Sequence, residues 1–356
     1  MKPLSLRKRA ALELFRNIKL QQRREHPLRQ LFWECTHRCN LACRHCGSDC
    51  KQSATHPDMP AEDFLRVVDS ILPHLTIEQR HSLNIIITGG EPTMRADLEQ
   101  VGAELFRREL PWGIVTNGLA LTPERFLSLR RAGLHSITVS LDGLEESHCW
   151  MRGHPQSWQL ALRAIRMIAR SKNIRWDVVT CVNRRSLAEL DQLKEVLIDA
   201  GVKEWRLFTI FPSGRAAAYP EFDLNGEEIR RLMDFIVDTR REGRIAASFC
   251  CEGFMEGYER EVRDYFFNCH AGVTVASVLI DGSIGSCPSI RADYTQGNIY
   301  KDDFWDVWTN RFEPYRNREW MRRGPCASCR HWRYCEGNGM HLRDSEGNLM
   351  HCHLLK

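Results

Sequence analysis

Residues 31–50 read Leu31-Phe32-Trp33-Glu34-Cys35-Thr36-His37-Arg38-Cys39-Asn40-Leu41-Ala42-Cys43-Arg44-His45-Cys46-Gly47-Ser48-Asp49-Cys50. The opening Leu31–Cys35 is a short apolar run of the kind that forms a buried strand. Five cysteines then crowd positions 35–50. One choice of three gives the spacing C-x3-C-x2-C, namely Cys39, Cys43 and Cys46, on a loop directly after the strand. Three thiolates on one short loop can hold three irons of a [4Fe–4S] cube and leave the fourth iron free for a small-molecule ligand. An open coordination position marks chemistry rather than scaffolding, as it does at catalytic zinc. The competing reading is a zinc loop in which Cys35 or Cys50 supplies a fourth sulfur.

Outward from this loop the chain keeps a regular rhythm. Strands are expected at Leu31–Cys35, Ser82–Thr88, Gly113–Thr116, Ser136–Leu141, Trp176–Val182 and Glu204–Ile210. Helical patterns lie near 60–74, 97–109, 122–132, 157–171, 186–200 and 227–241. Such alternation implies parallel βα units. Six units are two short of a closed eight-unit barrel. The expected fold is therefore α/β, an open, partial (β/α)6 TIM-like barrel over residues 31–245, followed by a cysteine-rich domain over 246–356. Residues 1–30 form a basic preface with nine Lys or Arg against two Glu. Ala11, Leu14, Phe15 and Ile18 fall at helical spacing there, which predicts an amphipathic helix. It is expected to pack across the main domain, with a peripheral membrane or peptide contact as the alternative.

The bulk numbers narrow the class. The 356 residues are 43% hydrophobic, and the net charge is +4. That charge is too small to argue for a nucleic-acid partner. Fifteen cysteines is an abnormal count. The first thirty residues lack the apolar core of a secretory signal. No stretch approaches the roughly 20 apolar residues that span a bilayer. A cytoplasmic location with metal sites rather than disulfides is the expectation.

Further motifs stand at the expected strand ends, where parallel α/β folds build their sites. Thr88-Gly89-Gly90-Glu91-Pro92 follows the second strand, and Thr116-Asn117-Gly118 the third. Ser140-Leu141-Asp142-Gly143 follows the fourth, with Met151-Arg152-Gly153 beyond it. Asn183 ends the fifth. A glycine pair permits close backbone approach, and a carboxylate suits an ammonium group. Taken with the cysteine loop, including the ring residue His45 before its last cysteine, these motifs resemble the radical S-adenosylmethionine superfamily. The resemblance implies a [4Fe–4S] cluster with an open iron site on Cys39, Cys43 and Cys46, and S-adenosyl-L-methionine bound there. By the same resemblance Gly89, Gly90 and Glu91 receive the methionine amino group. Asn117, Ser140 and Asp142 lie near the ribose and carboxylate, and Arg152 pairs with that carboxylate. Electron transfer from the cluster to the sulfonium would yield a 5′-deoxyadenosyl radical that takes a hydrogen atom from substrate.

Eight cysteines lie between Cys250 and Cys352. Cys269 and Cys287 flank Gly282; Cys326-x2-Cys329-x5-Cys335 follows, and Cys352 closes the set. With Gly297-Asn298-Ile299 and Phe304–Trp308 between its halves, this segment resembles the SPASM extension. One or two auxiliary [4Fe–4S] clusters are implied. Cys326, Cys329, Cys335 and Cys352 would ligate the outer one. Cys269, Cys287 and an upstream cysteine, Cys251 or its neighbour Cys250, would ligate the inner one. The family pattern places a further cysteine where this chain has Gly339. An open iron, His341, or both Cys250 and Cys251 remain as ways to complete the inner set. A zinc knuckle is the competing reading for the outer four. Cys35, Cys50, Cys149 and Cys181 are read as small apolar fillers.

SPASM-bearing enzymes typically act on peptides or proteins, so crosslinking or epimerisation of a peptide or protein substrate is expected. Cys287 is followed by Pro288 rather than the Asp of sulfatase maturases, which places formylglycine formation lower. A small molecule such as a haem precursor is the other substrate class, and a non-enzymatic zinc protein the remaining alternative. The resemblance also implies a flavodoxin- or ferredoxin-type reductant. Ser5–Arg9, Leu31–Cys35 and His45–Cys50 look most like a SPASM subgroup found beside small lipoprotein genes. No general base is legible.

Overall fold

Side chains of a strand alternate between its two faces. Here that alternation separates a helix-covered side from an open lumen. The computed structural model describes residues 2–51, 56–250 and 252–355. Helix α1 (Leu6–Glu25) precedes β1 (Gln30–Glu34), α2 (Ala61–Ile71), α3 (Ile77–Ser82) and β2 (Asn84–Thr88). Then come α4 (Leu98–Arg107), β3 (Trp112–Thr116), α5 (Pro123–Arg131), β4 (Leu134–Ser140), α6 (Glu145–Arg152) and α7 (Ser157–Ala169). Strand β5 (Arg175–Val182), α8 (Arg184–Asp199), β6 (Glu204–Thr209) and α9 (Gly226–Glu242) complete the regular part. Short strands β7 (Ala246–Phe249), β8 (Val275–Val278), β9 (Ser283–Gly285) and β10 (Gly297–Asn298) follow, with α10 (Phe304–Asn310).

On the helix side Leu31, Trp33, Ile85 and Ile87 are fully buried. Trp33 stacks on Phe64 of α2 with ring centroids 4.5 Å apart. Full burial of such side chains is worth about 1.5–3 kcal/mol each. On the lumen side Phe32, Asn84, Ile86 and Thr88 are only half-buried. Helix starts are marked by polar caps: Thr122 for α5, and capping boxes led by Asn183 for α8 and Asn225 for α9. These satisfy first-turn N–H groups that have no helical partner.

The sheet order is β10-β9-β8-β1-β2-β3-β4-β5-β6-β7. The run from β8 through β1 to β7 is parallel throughout. β9 and β10 extend it antiparallel. The partial barrel thus has parallel strands beyond the six expected. β7 and β8, from the chain after position 245, pair with β6 and β1. Neither is legible in the sequence, because each is only four residues long and the described residues between them form no α-helix.

Helix α1 forms as expected, but it packs on the cysteine-rich segment. Lys19 pairs with Glu336 and donates to the Tyr334 carbonyl at 2.9 Å. Arg23 grips Glu336 with two hydrogen bonds of 3.0 and 2.6 Å. Glu13 receives Arg333 and the Tyr334 hydroxyl. Leu6, Leu14 and Ile18 stay 84%, 70% and 49% exposed. Among the described residues, no helix is long and apolar enough to cross a membrane.

Candidate active site at the strand ends

The cysteine loop leaves β1 and is held by backbone bonds from three directions. Cys39 N–H donates to Lys51 O at 2.8 Å, and Arg44 N–H to Met151 O at 2.8 Å. From beyond β6, Arg215 N–H donates to Cys46 O at 2.9 Å. Its side chain donates to Cys43 O at 2.7 Å and Cys50 O at 2.9 Å. Gly214 permits this approach: it sits at φ +57°, and a Cβ there would lie 2.5 Å from both Cys46 O and Gly47 O. Cys39 and Cys43 are buried, and Cys46 is half-buried. Burial pushes Cys39 up to about 12 and also raises Cys43. Cys46 is held below the ordinary thiol range, chiefly by the hydrogen bond from the Cys50 thiol. Cys50 is buried and packs with Cys39, Leu41 and Cys43.

Gly89 and Gly90 interlock with the loop's first residues. A Cβ at Gly89 would lie 2.3 Å from Thr36 O, and one at Gly90 2.2 Å from Arg38 O. Gly90 N–H donates to Thr36 O at 2.7 Å, and Glu91 N–H to Arg38 O at 2.9 Å. The buried Glu91 carboxylate turns inward. It accepts from the Thr93 and Thr116 hydroxyls at 2.7 Å and from Asn117 N–H at 2.8 Å. Asn117 in turn donates to Asn40 at 2.7 Å, inside the cysteine loop. These residues tie the ends of β2 and β3 to the thiols.

Asp142, Arg152, His45 and Cys43 form a second knot. Arg152 Nε donates to Asp142 at 2.6 Å, and Nη1 lies 3.7 Å from Cys43 Sγ. Nη2 has no protein partner among the described residues. Asp142 also accepts Cys181 N–H at 2.9 Å, and His45 Nε2 lies 3.7 Å away. Burial opposes the Asp142 charge, but Arg152, His45 and His148 prevail and hold it at about 2. Burial holds His45 down to about 4, hence neutral near pH 7. Ser140 ends β4, buried beside this knot. Asn183 caps α8 and donates to Met151 Sδ at 3.0 Å.

In the C-terminal segment a cavity of about 350 Å³ is lined by Cys326, Cys329, Cys335 and Cys352. Arg343 donates to Cys326 Sγ at 3.2 Å. Cys269 sulfur faces the N–H groups of Met340 and Ala271 and the Arg318 guanidinium, and Cys287 lies close enough to feel its charge. Cys250 instead meets the Arg206 guanidinium on β6. Cys251 lies outside the described residues. Cys35 is fully buried, and Cys149 Sγ donates to Pro155 O at 3.2 Å.

Thiolates sharing one zinc sit roughly 4 Å apart. Among the described residues the sole convergent set of three metal-ligand side chains within 4.8 Å is His45, Asp142 and Cys181, a set already paired with Arg152. No three described cysteines bring their sulfurs within 4.8 Å of one another, and the 350 Å³ cavity lies before four of them. The donor sets fit iron–sulfur clusters. Sequence reading missed Gly214, Arg215 and Asn40. Gly214-Arg215 also lies beyond a strand end, and that position was the available signal.

The Radical SAM superfamily profile matches residues 33–197, and the SPASM profile, an iron–sulfur cluster-binding domain, matches 269–331. The chain is 25% identical over 330 residues to the AdoMet-dependent heme synthase of Methanosarcina barkeri, covering 87% of this chain and 90% of that one. It is 28% identical over 320 residues to the mycofactocin maturase MftC of Mycobacterium tuberculosis, covering 87% and 78%. Its fold is similar to that of Streptococcus suis SuiB bound to S-adenosylmethionine, with a TM-score of 0.70 at 17% identity over 95% of this chain and 80% of that one. The thiol loop, the strand-end network and the C-terminal cysteines thus have one explanation: the chain is an enzyme of the radical SAM superfamily with a C-terminal SPASM domain, using S-adenosylmethionine and iron–sulfur clusters as cofactors.

Proposed function

We propose that this enzyme takes a hydrogen atom from a peptide or protein substrate to install a crosslink or an epimerised residue. When bound, the cluster and S-adenosylmethionine supply a carbon radical able to take a hydrogen atom from an unactivated C–H bond. Cys39, Cys43 and Cys46 would hold that cluster. Gly89, Gly90, Glu91 and Asn117 brace the loop, and Arg152, with Nη2 unpartnered, is the cation available to a carboxylate. Ser140 and Asp142 lie at the same strand ends. Cys326, Cys329, Cys335 and Cys352 would hold the outer auxiliary cluster. Cys269 and Cys287 belong to the inner one, with Cys251 as the adjoining cysteine. A flavodoxin- or ferredoxin-type protein is the expected electron donor.

One observation carries the peptide reading. A cavity of about 230 Å³ opens between the two cysteine regions, lined by Glu34, His45, Gly89, Phe211, Pro288 and Arg291 among others. Its lining joins the cysteine loop, through His45, Gly47 and Ser48, to Pro288, Ser289 and Arg291 after Cys287, so a residue of a peptide lying across the rim can reach the loop. The SuiB fold neighbour, solved bound to precursor peptide SuiA, and the mycofactocin maturase relatives support the same reading. A haem-precursor substrate is the second reading, favoured by the match to the heme synthase relative over 87% of this chain and 90% of that one. Anaerobic incubation with reductant, S-adenosylmethionine and a peptide encoded beside the gene tests it. A mass change in the peptide is expected; conversion of an iron porphyrin instead, with the peptide untouched, would transfer the assignment to the second reading.

A further inference from the structure

The SPASM spacing runs through Cys326, Cys329 and Cys335 to a last thiolate at position 339, where this chain has Gly339. A Cβ built on Gly339 would lie 2.6 Å from His341 Cε1 and 2.9 Å from His341 Nδ1. Those separations are too short for two atoms that are not bonded. A cysteine at 339 and the imidazole of His341 cannot both occupy these positions; one of the two side chains must turn away. The glycine is not simply a lost ligand; it leaves the space that the ring fills.

The same Cβ would lie 3.0 Å from the carbonyl of Glu252. Met340, the residue before His341, turns its N–H toward Cys269 sulfur. Arg318 locks the two segments together, donating to Cys269 O at 3.0 Å and Asn338 O at 3.5 Å. Cys287 lies near Cys269. Neither ring nitrogen of His341 makes a hydrogen bond among the described residues. The ring rests on Phe211, centroids 5.0 Å apart, and Phe211 lines the 230 Å³ cavity.

We propose that His341 ligates the inner auxiliary cluster through a ring nitrogen, in place of the cysteine absent at 339. The inference rests on the SPASM reading of this segment. A neutral imidazole for a thiolate removes one negative charge from the cluster and raises its reduction potential, as histidine ligation does in Rieske centres. It also closes an iron that would otherwise be open to substrate.

The test uses the full chain carrying Cys39→Ala, Cys43→Ala and Cys46→Ala, so that only auxiliary clusters remain. Pulsed EPR of the reduced protein should show a histidine ¹⁴N coupling. His341→Ala should lose that coupling. Gly339→Cys combined with His341→Ala, where the ring no longer blocks the thiol, should restore cluster content without it and shift the potential downward. A coupling that survives His341→Ala, or no coupling in a parent with full auxiliary iron, would overturn the proposal. A parent with no auxiliary iron would defeat the SPASM reading beneath it, and the iron count tells that outcome from the other two.

Discussion

The two cysteine regions are built in different ways. Cys39, Cys43 and Cys46 lie on one loop, and the barrel's strand ends reach in to hold it: Gly90 and Glu91 after β2, Asn117 after β3, Arg152 beyond β4 and Arg215 after β6. The C-terminal cysteines are spread from Cys269 to Cys352 over loops and single-turn helices, and helix α1 braces them from outside through Lys19 and Arg23 on Glu336. A local ligand set on a rigid rim is defined by its own spacing. A dispersed set depends on packing between distant segments, and there a substitution such as Gly339 can be answered by a neighbour.

That contrast predicts separable losses. The largest effect is expected from Cys43→Ala, which should strip the first cluster while leaving the C-terminal iron; Cys335→Ala should do the reverse. Iron analysis of the two proteins checks this, and loss of all iron from either would erase the distinction. Next comes Asp142→Asn, which leaves the buried Arg152 unpaired beside Cys43. Breaking a buried pair costs about 3–5 kcal/mol, readable as a lowered denaturant midpoint.

The same pair sets an acid limit. Asp142 is held at about 2 against an ordinary value of 3.8. Between those values the unfolded chain binds more protons, so stability is present above about pH 4 and falls as pH drops toward about 2. The metal-free protein followed by circular dichroism should show this loss, and replacing both Asp142 and Arg152 with apolar residues should remove it. Gly214→Ala is expected to act through geometry, its methyl driven against the Cys46 and Gly47 carbonyls. It should cost about 1–3 kcal/mol and reduce first-cluster iron selectively. The smallest effect belongs to Lys19→Met. Arg23 still holds Glu336, and removing the buried ammonium also removes its desolvation cost, so a net loss of about 1 kcal/mol is expected, seen in thermal unfolding with SAM cleavage unchanged.

Much of the barrel was legible because its signals are local. Ile85 and Ile87 alternate with half-buried neighbours, and Thr122 or Asn225 announces the helix that follows. β7 and β8 were not legible: four residues carry too little periodicity, and β8 joins β1 across more than two hundred positions of chain. The thiol loop was readable from spacing. The inward turn of Glu91 was not, since a strand-end acid reads alike whether it faces a ligand or Thr93, Thr116 and Asn117. Gly214 and Arg215 carry no motif; their role exists only where the chain beyond β6 meets the loop after β1.

The central claim is that the Cys39–Cys46 loop and its strand-end network form a centre that cleaves S-adenosylmethionine reductively. The direct measurement is 5′-deoxyadenosine formed by iron-replete protein under anaerobic, reducing conditions. The account predicts its accumulation with the native chain and its absence with Cys43→Ala. Iron-replete native protein that binds S-adenosylmethionine and forms no 5′-deoxyadenosine would contradict it.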